Sequence, residues 1–571
     1  MAPWAQAFLL ELQSAACQPA DKAAVSKPLA HQLLACIQHP QQTWRQRRRA
    51  HAMQMLSQQH PDLIDFVLAH HPLAQLPELV HSQLATVPEF AQAPIANAAA
   101  AHNGGALRLR ASPGVHGMGT ALPWLPQLHS VQHLHLMLNF DDMANAAGAD
   151  YLLDSIRQGA SIVQLHDSDN SNASSAEQQL GNSQRQGIAL PPHLSELHIE
   201  MTSKKRAPVT DASIKLQAAR ALCVDAFMRS LPQCAHLTAL TLQRCTFAQE
   251  HTAMFAAALQ QLRRLRKLML TRPRCVAVGD DGDLQPGGLV GIAAALQRVT
   301  ALEDFAVNSC AAHHTTSATD IDAITTALQP SLPRLHSFEF DPALAAPGVR
   351  RACTALAGAP LRHLAVSLDS ATRPAAARAL VQRLQHLSCL QHLAVRAAPP
   401  PKSPDAAVVC RLALLRVIAG LHQLPQLAHF AWRGAFSDAA IQRLGSACKR
   451  LPHLRSLRLE QTRMARNAAG DALQGSLLPG PVALQGITAL SLAGAQPPTL
   501  LQLAMLPRLA RLQLSWRGNV AGPPARSTDG CALPALTCLE VLAGKDAAQA
   551  SAWRDHYAKA APLLSARSAR A

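Results

Sequence analysis

The chain has 571 residues, too many for one compact hydrophobic core, so it must be several domains or one extended repeat array. Hydrophobic residues make up 49% and aromatics only 4%, so Leu and Ala must build the interior, which suits many small, similar layers. A net charge of +16 attracts acidic proteins, nucleic acid or anionic lipid without choosing among them, and no run of 18 apolar residues exists to span a bilayer.

Residues 1–120 hold eight Lys/Arg and six Asp/Glu, a charge of +2, which leaves +14 for the rest of the chain. Helical periodicity is expected in Trp4–Cys17, Leu29–Ile37, Trp44–Ser57 and Leu63–Ala69, broken by Pro40, Pro61 and Pro72. Residues 1–120 thus read as a small α-helical N-terminal domain or cap, with 91–120, rich in Ala, Asn, Gly and Pro, as a linker. The apolar patch Ala5–Leu10 has no Lys or Arg before it and Glu11 directly after it, which makes a poor signal peptide. The cluster Arg45-Gln46-Arg47-Arg48-Arg49 reads as a solvated helix face, with nuclear import or phosphate binding as the alternative. The 13 Cys are odd in number and form no C-x-x-C pair, which points to reduced thiols in a cytoplasmic compartment.

From residue 121 a pattern recurs, seen most clearly in Leu451–Leu459, L-P-H-L-R-S-L-R-L. Its spacing of three, three and two is a turn followed by a short strand. Aligning thirteen such segments on the first apolar residue of the final pair gives positions 134, 197, 240, 268, 305, 338, 364, 393, 430, 457, 490, 512 and 539. The first gap, 63 residues, is about two repeats long, and a degenerate strand at Ile162–Leu165 is expected to fill it. Between the strands, His251–Leu262, Gly288–Leu296, Asp320–Leu328, Arg373–Leu387, Asp405–Leu421 and Ser437–Leu451 carry apolar residues three and four apart, which predicts helices. Asp167–Gln186 and Arg274–Pro286 read as inserted loops. A right-handed strand–helix–strand crossover makes successive strands parallel, and each unit must stack on its neighbours to bury its apolar face.

L-x-x-L-x-L with a period near 26–29 residues and a helix between strands resembles the leucine-rich repeat family, in its longer, ribonuclease-inhibitor-like class. Leu237-x-x-Leu240-x-Leu242-x-x-Cys245 and Leu302-x-x-Phe305-x-Val307-x-x-Cys310 carry that family's Cys after the strand, whereas most other repeats lack it. The resemblance implies an α/β solenoid over 121–545, with a curved parallel sheet inside and helices outside, followed by a C-terminal cap or tail over 546–571.

In such an array the residues flanking each apolar pair face the concave surface. The early strands offer Glu196, His198, Glu200, Asp304, Asn308, Glu339 and Asp341, and the later ones Arg396, Arg433, Arg458 and Arg511, which predicts a surface acidic towards the N-terminus and basic towards the C-terminus. Three repeats share RHLAVS, QHLAVR and AHFAWR, which should align His363, His392 and His429 in one row, Ala365, Ala394 and Ala431 in the next, and Ser367, Arg396 and Arg433 beyond. A floor of Ala flanked by His and Arg leaves room for a side chain or anion, and Arg forks suit carboxylates. Any binding there should vary with pH between about 5 and 7. The alternative is that the rows are relics of duplication facing water.

No catalytic, cofactor or metal motif emerges. Asp280-Asp281-Gly282-Asp283 lacks the ligand spacing of an EF-hand, and His313-His314 and the Asp167/Asp169 pair read as loop residues. G-x-x-x-x-G-K-[ST], G-x-S-x-G and H-E-x-x-H are absent. The expectation is a non-enzymatic protein that binds a protein partner with an acidic surface through His363, His392, Arg396, His429, Arg433 and Arg458. The alternatives are the substrate-recognition adaptor of a ubiquitin ligase, which would need an F-box in the N-terminal helices, and a bacterial effector acting in a host cell. Scarce aromatics for base stacking and the lack of a recognition motif argue against nucleic acid.

Overall fold

The computed structural model describes residues 72–84, 89–111, 124–140, 190–202, 220, 223–224, 227–248, 252–278, 284–286, 289–308, 318–369, 372–397, 405–436, 438–461, 486–493, 503, 506–516, 533–543 and 547–561. The helices expected before residue 70, the Arg45–Arg49 cluster, Ile162–Leu165, the loop Asp167–Gln186, Asp280–Asp283, Cys310 and His313-His314 lie outside these residues. The chain divides into two compact units, 1–287 and 288–571.

In the first unit, β1 (Leu79–Val80), β2 (Ala106–Ala111), β3 (His133–Asn139), β4 (Glu196–Thr202), β5 (Ala239–Gln243) and β7 (Lys267–Thr271) pair in that order, all parallel. In the second, β10 (Asp304–Asn308), β11 (Ser337–Leu344), β12 (His363–Leu368), β13 (His392–Ala397), β14 (His429–Arg433), β15 (Ser456–Glu460), β16 (Ala489–Ala493), β17 (Arg511–Trp516) and β18 (Cys538–Ala543) do the same. All thirteen aligned positions fall on strands, and within each unit they are register partners: Leu134, Leu197, Leu240 and Leu268 in the first, then Phe305 through Leu539 in the second. This is an α/β leucine-rich-repeat solenoid.

The repeat pattern explains the geometry residue by residue. In Leu451–Leu459 all four leucines are about 2% exposed. The amide of Leu454 donates to the carbonyl of Leu451 at 3.1 Å, which closes the turn, and Leu390→Leu387, Leu424→Leu421 and Leu506→Leu503 repeat that bond. Pro after the first Leu suits this turn because its fixed φ is already helical and the amide it lacks has no partner there. The chain then straightens, and strand alternation sends Leu457 and Leu459 inward and Ser456 and Arg458 outward. Each buried Leu contributes about 1.5–3 kcal/mol relative to exposure, so a few leucines per turn suffice once neighbours stack.

The helices Thr252–Gln261, Val290–Leu296, Ala318–Ala327, Arg373–Leu384, Asp405–Gly420 and Asp438–Cys448 fall where periodicity puts them. Close packing between neighbouring repeats uses small residues. A Cβ on Gly420 would sit 2.6 Å from Val381 Cγ1, and one on Gly434 would sit 2.8 Å from Ala397 Cβ and 2.9 Å from Cys410 Sγ. Gly434→Ala should therefore cost about 1–3 kcal/mol in urea unfolding, partly recovered by adding Ala397→Gly.

Three sequence expectations change. The linker over 91–120 is, in its described part, a helix (Glu89–His102) and strand β2, joined by Gly104 and Gly105 at φ +65° and +87°. Parallel pairing therefore begins before residue 121. β3 and β4 pair directly, so no strand from the 63-residue gap lies between them. Arg274–Pro286 is not only loop: β8 (Arg274–Val278) pairs parallel with β6 (Thr246–Ala248) and antiparallel with β9 (Leu284–Pro286), making a second small sheet. Within the C-terminal segment, helix Ala547–Lys559 packs on β18, and its Trp553 and Tyr557 are buried.

Cys223, Cys234, Cys245, Cys353, Cys410 and Cys448 are buried free thiols, and Cys389 and Cys538 are exposed ones. Cys245 is among the buried ones, at the position after β5 that the repeat pattern marks. Burial pushes the thiols of Cys234, Cys353 and Cys448 up, to about 11, about 12 and about 12, so they are inert at neutral pH.

Candidate protein-binding surface

Pairing of β12, β13 and β14 brings the predicted rows together. His363, His392 and His429 are register partners, as are Ala365, Ala394 and Ala431, and Ser367, Arg396 and Arg433. β15 extends the rows with Ser456, Arg458 and Glu460, and β11 with Ser337 and Glu339. A register shift between Phe340 and Ala343 frees Asp341 from pairing.

The imidazoles pack on each other. His392 and His429 stack with centroids 4.0 Å apart and planes 7° apart, while His363 meets His392 edge-on at 5.7 Å. Ser337 Oγ and His363 Nδ1 are hydrogen-bonded at 3.0 Å. Burial holds all three pKa values below the usual histidine value, and the neighbouring rings add to this at His392, which falls to about 4. Near neutral pH the row is therefore an uncharged stacking surface, and the titration window lies lower than the pH 5–7 that the sequence suggested.

The sign of the pH effect follows. The folded-state pKa of His392 is depressed from 6.5 to about 4, so the unfolded chain protonates first as pH falls. The stability contributed by the neutral row is complete above pH 6.5, is lost between 6.5 and about 4, and changes no further below that. His363 and His429 shift in the same direction. Urea midpoints measured from pH 7 to pH 4 should drop, and His392→Gln should flatten the drop.

The arginines divide into two kinds. Arg396 is not free to fork an incoming carboxylate. It bridges β13 to β11, with Nη2 2.6 Å from Glu339 and Nη1 3.0 Å from Asp341. Ser367 of β12 donates to Asp341 at 2.7 Å, completing a network across three strands. The two acids raise the pKa of Arg396 despite its burial. Arg433 and Arg458, by contrast, are 54% and 61% exposed and share one carboxylate, Glu460, at 3.2 and 3.8 Å. The predicted acidic-to-basic gradient is not a segregation of charge. Glu460 and Glu540 stand on later strands, and Arg108, Arg110 and Lys267 on earlier ones.

A second histidine pair, His135 and His198, stacks at 4.0 Å in the first unit. Motif spacing could not single it out, because its members come from strands separated by the 63-residue gap. The only signal was the placement of His198 and Glu200 on outward positions of one strand.

No protein-family profile matches the chain, and no curated protein matches its sequence. Solved structures to which it is similar include the TLR13–ssRNA13 complex, at 12% identity and a TM-score of 0.30 over 77% of this chain and 50% of that one. They also include the Rad7–Elc1 complex in yeast, at 14% identity and a TM-score of 0.31 over 61% of this chain and 75% of that one. The chain thus spans about half the length of the first. Likenesses this low carry no argument about function, and the fold assignment rests on the strand register. Among the described residues, no helix is long and apolar enough to cross a membrane.

Proposed function

We propose that the chain is a non-enzymatic binding protein that takes a protein partner on the outward face of β12–β15. The observation that supports this most is the strip of Ala394 and Ala431, half-buried small side chains beside the imidazole row; their register partner Ala365 on β12 is buried. At its far end Arg433 and Arg458 share a single carboxylate, which leaves one positive charge to meet an acidic group. A flat floor, a stacking wall of neutral imidazoles and a solvated Arg pair suit a partner that presents an apolar or aromatic side chain next to Asp or Glu. Arg396 holds the face in shape and is not a contact residue in this reading.

Affinity capture from cell extract at moderate salt tests the proposal by comparing the intact chain with Arg433→Glu/Arg458→Glu. One protein retained by the first and lost from the second is the expected result. Identical captures, or recovery of nucleic acid alone with a steep salt dependence, would count against it.

A further inference from the structure

The strongest unassigned cluster lies in the first unit, on the outward face of β3, β4 and β5. His135 and His198 are register partners, and Glu200 follows two residues later on the same face of β4. Their rings stack 4.0 Å apart and 4° from parallel. His135 Nε2 lies 3.7 Å from Glu200 Oε2, and His198 Nε2 lies 3.3 Å from Gln243 Oε1. Gln243 in turn donates its amide to Glu200 Oε1 at 3.1 Å. His135 Nε2 is withdrawn from solvent and makes no hydrogen bond. One ligand atom from each of His135, His198 and Glu200 lies within 4.8 Å of the others.

We infer that His135, His198 and Glu200 bind a divalent transition-metal cation of the Zn²⁺ class. Two imidazole nitrogens and one carboxylate are the donor set of borderline cations, whereas Ca²⁺ and Mg²⁺ select all-oxygen shells. Three protein ligands leave a fourth position open to water or to a ligand's own donor atom. Tetrahedral binding with bonds of about 2.1 Å needs the ligand atoms roughly 3.4 Å apart and both in-plane lone pairs converging on the ion, so the parallel rings must each swing out of the stack to bind. The metal would sit between the Nε2 of His135 and the Glu200 carboxylate, which face each other at 3.7 Å without a hydrogen bond. Gln243 already holds one oxygen of Glu200, and such outer hydrogen bonds orient metal-ligating carboxylates. Two cations oppose the ion: Arg244, 3.9 Å from Glu200 Oε1, and Arg108, the register partner of His135 on β2.

The test uses the full chain and Zn²⁺ in competition with a chromophoric chelator. The wild-type chain should bind one equivalent more tightly than any other. His135→Gln and His198→Gln should each weaken that equivalent by more than about 10-fold, since even supporting residues of metal sites cost that much. His392→Gln/His429→Gln, which alters the other stacked pair, should leave it unchanged. Arg244→Gly keeps every ligand, suits the backbone φ of 56° at that position, and should tighten binding. Because a histidine variant can fail to fold, diethyl pyrocarbonate labelling of the wild-type chain gives a second readout, with Zn²⁺ protecting His135 and His198. The inference is overturned if the wild type binds no preferred equivalent. It is also overturned if that equivalent survives both single variants or moves with the His392/His429 variant, or if Zn²⁺ leaves labelling of His135 and His198 unchanged.

Discussion

Replacing Arg396 with alanine should lower the unfolding free energy by about 2–3 kcal/mol in urea titrations followed by tryptophan fluorescence. Arg396, Glu339 and Asp341 are only 28%, 16% and 17% exposed, so removing the cation strands two carboxylates in a partly dry site. Breaking a fully buried pair by deleting one partner costs about 3–5 kcal/mol, and partial solvent access reduces that here. Arg396→Glu should cost more, because it places a third carboxylate against two. The combined variant Arg396→Gln/Glu339→Gln/Asp341→Asn should regain most of the loss, because no charge is left unpaired. A cost below about 0.5 kcal/mol for Arg396→Ala would mean that the network is a solvated surface cluster. This is also why the capture experiment uses Arg433 and Arg458: charge reversal at Arg396 would alter the face as well as any contact.

Trp432→Ala should be the most destabilising single truncation on the candidate face's strands, at about 3–5 kcal/mol. Trp432 is 1% exposed and stands in register with Val395 and Leu459, so one indole fills a layer otherwise made of aliphatic side chains. Its Nε1 donates to the Ala435 carbonyl at 3.3 Å, and Gly434 is confined close by, against Ala397 and Cys410. Truncation therefore removes apolar contact and leaves the Ala435 carbonyl with only the weak donor of the Cys410 thiol. Trp432→Phe keeps most of the volume and should cost roughly half as much. Since each repeat touches only its neighbours, hydrogen exchange should speed up mainly in β13, β14 and β15. Uniform acceleration across the second unit would show that its repeats unfold as one block.

These effects also mark where the sequence could be read. A Leu that must be buried every repeat leaves a signal, and so Leu134 through Leu539 could be aligned in advance. β2 escaped because Ala106–Ala111 is entered through a Gly-Gly turn and lacks the Leu-x-x-Leu lead that flags the other strands. β6, β8 and β9 escaped because their pairing depends on loops meeting in space, with no period to betray it. The rows of the candidate site were legible, since register follows from the core leucines. Their chemistry was not. Arg396 finds its acids on a strand 57 residues away, and Glu460 sits in the same row as Arg433, so reading one sign per strand missed both pairs. The low histidine titration depends on burial and ring stacking, which the sequence does not record.

Site-directed photo-crosslinking most directly tests whether the outward face of β12–β15 holds a partner. A photoreactive residue at Ala394 or at Ala431 places the probe on the alanine strip, and one at Arg378, exposed on helix Arg373–Leu384, serves as the control. The account predicts one protein adduct from Ala394 and Ala431, abolished by Arg433→Glu/Arg458→Glu, and none from Arg378. An adduct from Arg378 alone, or equal adducts from all three positions, would contradict it.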